Sequence, residues 1–160
     1  MTNKQVLELR NGLEANMKGL KELRGMKFAY ALNKNIKILN DEIATFTPLI
    51  ETSEEFKTFE NERKELCELH CERDENGEMI LIENNTQYAI DITSKEWQSA
   101  YKELENKFET TIKERSKQIE DYGAFLLDES NISLHKIEID NVPDNISVEE
   151  FELIQSFIKD

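Results

Sequence analysis

Six apolar residues, Phe28, Leu32, Ile36, Leu39, Ile43 and Phe46, follow one another at spacings of 4, 4, 3, 4 and 3. Side chains at that period line one face of an α-helix like a coiled-coil seam, and the face must be buried against another element. The helix is expected to start near Met26. Pro48, between Thr45/Thr47 and Leu49, should kink or stop it, because proline lacks an N–H donor and crowds the preceding turn.

Further helical patterns surround this one. Residues 3–23 carry Val6, Leu7, Leu9, Leu13, Met17 and Leu20, with Gly12 and Gly19 as weak points. Thr52 with Glu55 has capping-box spacing and starts a helix running through Phe56, Phe59, Leu66 and Leu69 to about Cys71. Thr93 or Ser94 caps a long helix to about residue 128, with Trp97, Tyr101, Leu104, Phe108, Ile112, Ile119, Tyr122 and Leu126 on one face. Ser147 with Glu150 caps a last helix, about 147–159, with Phe151, Ile154 and Phe157 on one side.

Short β-prone segments lie between them. Asp74-Glu75-Asn76-Gly77 is a turn signal, and Met79–Glu83 and Gln87–Ile92 read as a hairpin. His135-Lys136-Ile137-Glu138-Ile139-Asp140 alternates apolar and charged residues, as a half-buried strand does. These patterns predict a helix-dominated α+β fold with a long antiparallel helical hairpin, a small β-hairpin or sheet and a C-terminal helix. A single domain of 160 residues is expected, with its helical core at about 3–71 and 94–128 and its sheet at about 79–92 and 134–140. The helix from residue 94 should pack antiparallel on the helix from residue 26, and partner-chain pairing would satisfy the same seams.

Charge is divided unevenly. Residues 1–40 carry eight Lys/Arg against three Asp/Glu, and residues 41–160 carry twelve against 31, so a +5 segment precedes a −19 remainder in a chain of net −14. Such a field bears on partners and association, not on fold. It argues against direct nucleic-acid binding. No apolar run approaches the roughly 18 residues that span a membrane, and the first residues lack the apolar core of a secretory signal. A location in the cytoplasm of a host cell, with Cys67 and Cys71 reduced, is the expectation.

Few residues suggest chemistry. Glu72, Asp74, Asn76 and Glu83 occupy positions 1, 3, 5 and 12 of a segment with Gly77 at position 6, which nearly fits a calcium loop. A calcium loop leads into a helix, whereas β-prone residues follow here, so turn plus hairpin is preferred. Cys67, His70 and Cys71 are possible zinc donors, but they share one helical turn with no second ligand pair, and His135 stands alone. No nucleophile–base pattern and no phosphate-binding loop is present, so no catalytic residue, enzyme activity or cofactor is expected. The basic segment offers more. Lys18, Lys21, Arg24 and Lys27 lie beside Phe28 and Tyr30, and cations among aromatics can hold an anionic ring or a phosphate. The plainer role, which is preferred, is to neutralise acidic faces of this chain or of a second copy.

Four segments together carry a family resemblance: Lys27–Asn35 (KFAYALNKN), Phe59–Cys67 (FENERKELC), Arg73–Glu78 (RDENGE), and Asp144–Ser147 (DNIS) running into Glu152-Leu153-Ile154. In this order they resemble small uncharacterised acidic proteins of phages and prophages of Gram-positive bacteria. Residues 98–130 run longer than is usual in such proteins. The resemblance implies a phage-encoded protein and brings no catalytic residues. Together with the charge division it leads to the expectation of a non-enzymatic protein that binds a host or host-defence protein through its acidic helical surface. The alternatives are an oligomeric sponge for an anionic signalling nucleotide and an assembly or scaffold protein. A protein partner and a homo-oligomer are expected, with an anionic small molecule as a further candidate.

Overall fold

In the computed structural model, which describes residues 1–82 and 86–159, the chain is helix-dominated with one small antiparallel sheet. It divides into two compact units, Met1–Ile50 with Glu120–Asp160, and Glu51–Ile119.

The first unit begins with α1 (Asn3–Ala15), capped by reciprocal bonds between Thr2 and Gln5. The expected helix over 3–23 is interrupted at Asn16, and α2 (Met17–Glu22) follows. The Asn16 side chain donates to the Gly12 carbonyl at 2.9 Å, offering the backbone an alternative to continuous helix. Gly12 has a packing reason: a Cβ there would come within 2.6 Å of Leu153 Cδ1 from α7 (Val148–Ile154). The seam helix is α3 (Met26–Ile50), which passes through Pro48 before ending. Ala44 and Pro48 are both exposed, so the carbonyl that loses its donor is left to water.

The seam is buried as its spacing requires. Phe28, Leu32, Leu39 and Phe46 pack with Val6, Leu9, Leu13, Leu20 and Leu23 and with Ile137, Ile154 and Phe157. The helix that runs along α3 in this unit is α1. At its far end Phe46 meets Phe125, edge to face at 5.0 Å. Phe125 belongs to the last turns of α6 (Glu109–Leu127), the part of that helix that lies in this unit. The antiparallel packing expected of α3 with the helix from residue 94 is replaced by α1 on α3. α1 is joined to α3 through the short α2 segment, which keeps the two close along the chain.

Residues 134–140 do not join the sheet. Ile137 makes one parallel bridge to Ile158, and Ile139–Asn141 form a 3₁₀ turn. The alternation is partly real, since Ile137 is buried between exposed Lys136 and Glu138. Pairing ends there because the chain turns into the 3₁₀ segment two residues later. Ser147 and Glu150 form the expected capping box.

The second unit holds α4 (Glu54–His70) and α5 (Lys95–Lys107) packed on each other. Ser53, not Thr52, caps α4, accepting from the Phe56 N–H at 3.2 Å. Phe59 lies between Phe56 and Phe108 at 5.4 and 5.6 Å. The long helix expected from residue 94 is interrupted at Phe108, where α5 gives way to α6, although Phe108 N–H still reaches the Leu104 carbonyl. β1 (Leu81–Ile82) pairs with β2 (Gln87–Tyr88) in the register Leu81–Tyr88 and Ile82–Gln87, and Cys71 bridges to Ile90. Among the described residues no helix is long and apolar enough to cross a membrane.

Candidate functional site

The start of α3 builds the most distinctive cleft of the first unit. Gly25 precedes it with φ +148°, a conformation other residues seldom adopt. From there Lys27, Tyr30 and Lys34 follow at helical spacings of three and four and form an exposed stripe, while Phe28, Ala31, Leu32 and Asn35 are buried. Segment 135–138 forms the opposite wall and is fixed by the fully buried Asn35. Its Oδ1 accepts from the His135 N–H at 2.6 Å, and its Nδ2 donates to the His135 carbonyl at 3.0 Å. The far end of the wall is held by Ile137 N–H to the Phe157 carbonyl and Lys159 N–H to the Ile137 carbonyl.

Between these walls lies a cavity of about 370 Å³ lined by Met26, Lys27, Tyr30, His135, Lys136, Ile137, Glu138, Asn141 and Lys159. That is within the size range of small-molecule sites. Tyr30 is 59 % exposed, with its ring edge to face with His135 at 5.4 Å and Lys34 Nζ at 5.7 Å from its centre. Lys34 Nζ also lies 3.4 Å from His135 Nδ1. Lys136 donates to the carbonyls of Ser156 and Ile158, and Lys159 pairs with Glu138. Lys27 pairs with no carboxylate among the described residues. Three lysines against one glutamate leave the cavity cationic, with an aromatic wall.

The sequence-predicted cations divide here. Lys27 and Tyr30 line this cavity, and Arg24 and Lys27 line an adjoining one of about 500 Å³. Lys18 and Lys21 lie on exposed positions of α2 and line neither. Among the described residues none of Lys18, Lys21, Arg24 and Lys27 forms an ion pair. His135, Lys136 and Lys159 have no sequence-level link to the basic segment.

The other candidates do not assemble. Asp74 uses Oδ1 to accept from the N–H groups of Asn76 and Glu78 at 2.8 and 2.9 Å, which closes the turn and holds its carboxyl below the usual value. Glu72 and Asn76 flank it, strand β1 follows, and Glu83 lies outside the described residues. Among the described residues no three His, Cys, Asp or Glu side chains come together as a metal site. Cys71 Sγ is directed at the carbonyls of Glu72 and Ile80, and the His70 ring lies against Trp97 at 5.6 Å.

The second unit has a cavity of about 670 Å³ beside Cys67 and Tyr88. Three of its polar groups, Arg63, Lys64 and Tyr88, are already matched to glutamates. Arg63 makes two hydrogen bonds to Glu60, which raise its pKa, and the Tyr88 hydroxyl donates to Glu68 at 2.9 Å. Burial pushes the Cys67 thiol up, which works against a thiolate nucleophile at neutral pH.

The chain matches no protein-family model, no curated protein and no solved structure.

Proposed function

We propose that the protein works by binding, without catalysing a reaction, and that it holds a small anionic molecule with a planar ring in the cleft at the start of α3. The supporting observation is the joint presence of an exposed ring, Tyr30, and an uncommitted cation, Lys27, on one wall of a cavity that also carries Lys136 and Lys159. Tyr30 offers a stacking surface, and the lysines offer charge to an anion withdrawn from water. The cleft is complete within one unit of one chain, so a second copy is not needed to form it. In the phage setting implied by the family resemblance, such a protein sequesters an anionic host metabolite, a signalling nucleotide being one candidate.

The test is thermal unfolding with phenyl phosphate and nucleoside monophosphates at millimolar concentration. A ligand present at 100 times its Kd stabilises the folded chain by about 2.7 kcal/mol. The expected result is a concentration-dependent rise in Tm that Lys27→Glu and Tyr30→Ala each reduce. Absence of any shift with every aromatic anion would overturn the proposal.

Binding of a basic protein partner is favoured by a separate observation. Residues 51–119 hold 18 Asp/Glu against ten Lys/Arg, a net charge of −8 within one unit. Attraction of this origin weakens with salt. Capture of a basic protein whose affinity is unchanged between 50 and 500 mM salt would exclude it.

A further inference from the structure

The cavity that adjoins the Tyr30 cleft has a different electrical character. The two share Met26, Lys27 and Asn141, so they are neighbours along one opening. The second is lined by Arg24 and Lys27 from around the start of α3 and by Asp140 and Asp144 from the segment that precedes α7. Opposite charges lining one cavity would ordinarily close into ion pairs. Among the described residues, neither cation pairs with either aspartate, and the cavity that all four line has a volume of about 500 Å³. Charges held apart in this way attract each other weakly, because water screens them. A molecule carrying both signs would replace that water and give each sign a charge-assisted partner.

Resting on the proposal that the Tyr30 cleft takes an anionic ring, we infer that the full ligand is an aromatic anion with a zwitterionic head. The ring and its anionic group occupy the Tyr30 cleft beside Lys27. An ammonium group on the head meets Asp140 and Asp144, and a carboxylate meets Arg24. O-phosphotyrosine as a free amino acid has these parts and serves as the probe. Phenyl phosphate keeps the ring and phosphate and lacks the head.

The experiment is isothermal titration calorimetry of both compounds against the full chain and against the double variant Asp140→Asn/Asp144→Asn. Both aspartates are exposed, so the substitution leaves the core untouched. O-phosphotyrosine is expected to bind the unaltered chain at least about tenfold more tightly than phenyl phosphate, since charge-assisted hydrogen bonds exceed the 1.4 kcal/mol that a factor of ten requires. The double variant should lose that advantage and bind phenyl phosphate as before. If both compounds bind equally to the unaltered chain, the zwitterionic head is wrong and the anionic cleft stands. The same holds if the advantage survives in the double variant. If neither compound binds, the cleft and this inference both fail.

Discussion

At the scale of single residues, two buried asparagines do what apolar side chains cannot. Asn3, 4 % exposed, donates from its side chain to the Phe125 carbonyl, while its N–H reaches the Asp128 carbonyl. Asn35 satisfies both backbone groups of His135 at once. A buried amide is costly unless it is hydrogen-bonded, and here each bond also fixes a distant segment. Asn35→Ala would leave the His135 N–H and carbonyl without those partners, at about 1–3 kcal/mol for each group. Urea unfolding should therefore show a lower midpoint with an unchanged slope. An unchanged midpoint would mean that His135 finds other partners. Asn35 lies within the helical seam region and is polar, which marks it as unusual, but nothing nearby in sequence indicates that its partner is His135.

At the scale of elements, the turn that joins α4 to β1 is a small electrostatic device. Asp74 Oδ1 gathers the N–H groups of Asn76 and Glu78, and these bonds favour the ionised carboxylate. Its folded pKa is depressed below the ordinary value of 3.8. The stabilisation is therefore present above pH 3.8 and is lost as pH falls through the lower, folded value. Asp91, which accepts from the Thr93 hydroxyl and N–H, is depressed in the same sense. Amide exchange at Asn76 and Glu78 should accelerate, relative to the intrinsic rate, when pH is lowered from 5 towards 2. Asp74→Asn should remove that dependence, and a dependence that persists in the variant would assign it to another group. The turn was legible because Asp, Asn and Gly have strong local preferences. The calcium spacing within it was legible too, but spacing alone does not tell whether Asp74 turns inward to its own backbone or outward to an ion.

At the scale of the whole molecule, the two units have unequal cores. Thirteen buried side chains form the cluster in the first unit, whereas Phe59, Cys71 and Leu104 are the buried apolar residues described in the second. Protection against amide exchange follows the buried contacts that must open. Native-state exchange should give higher opening free energies in α1 and α3 than in α4 and α5, and the reverse order would show that something other than core burial stabilises the second unit. By itself the sequence determined most of the helical segments, though not their breaks at Asn16 and Phe108, the turn at 74–77, and the placing of Lys27 and Tyr30 together on one helix. Each of these depends on residues within a few positions of one another, where backbone geometry fixes the outcome. It did not determine that α1 would lie along the α3 seam, because every amphipathic helix in the chain offers a chemically similar face. Nor did it reveal His135, Lys136 and Lys159 opposite Tyr30, about 100 residues away or more. Only tertiary structure could do that: the wall exists because Asn35 holds His135 and the chain's last residues pair with Ile137, contacts that have no local signature.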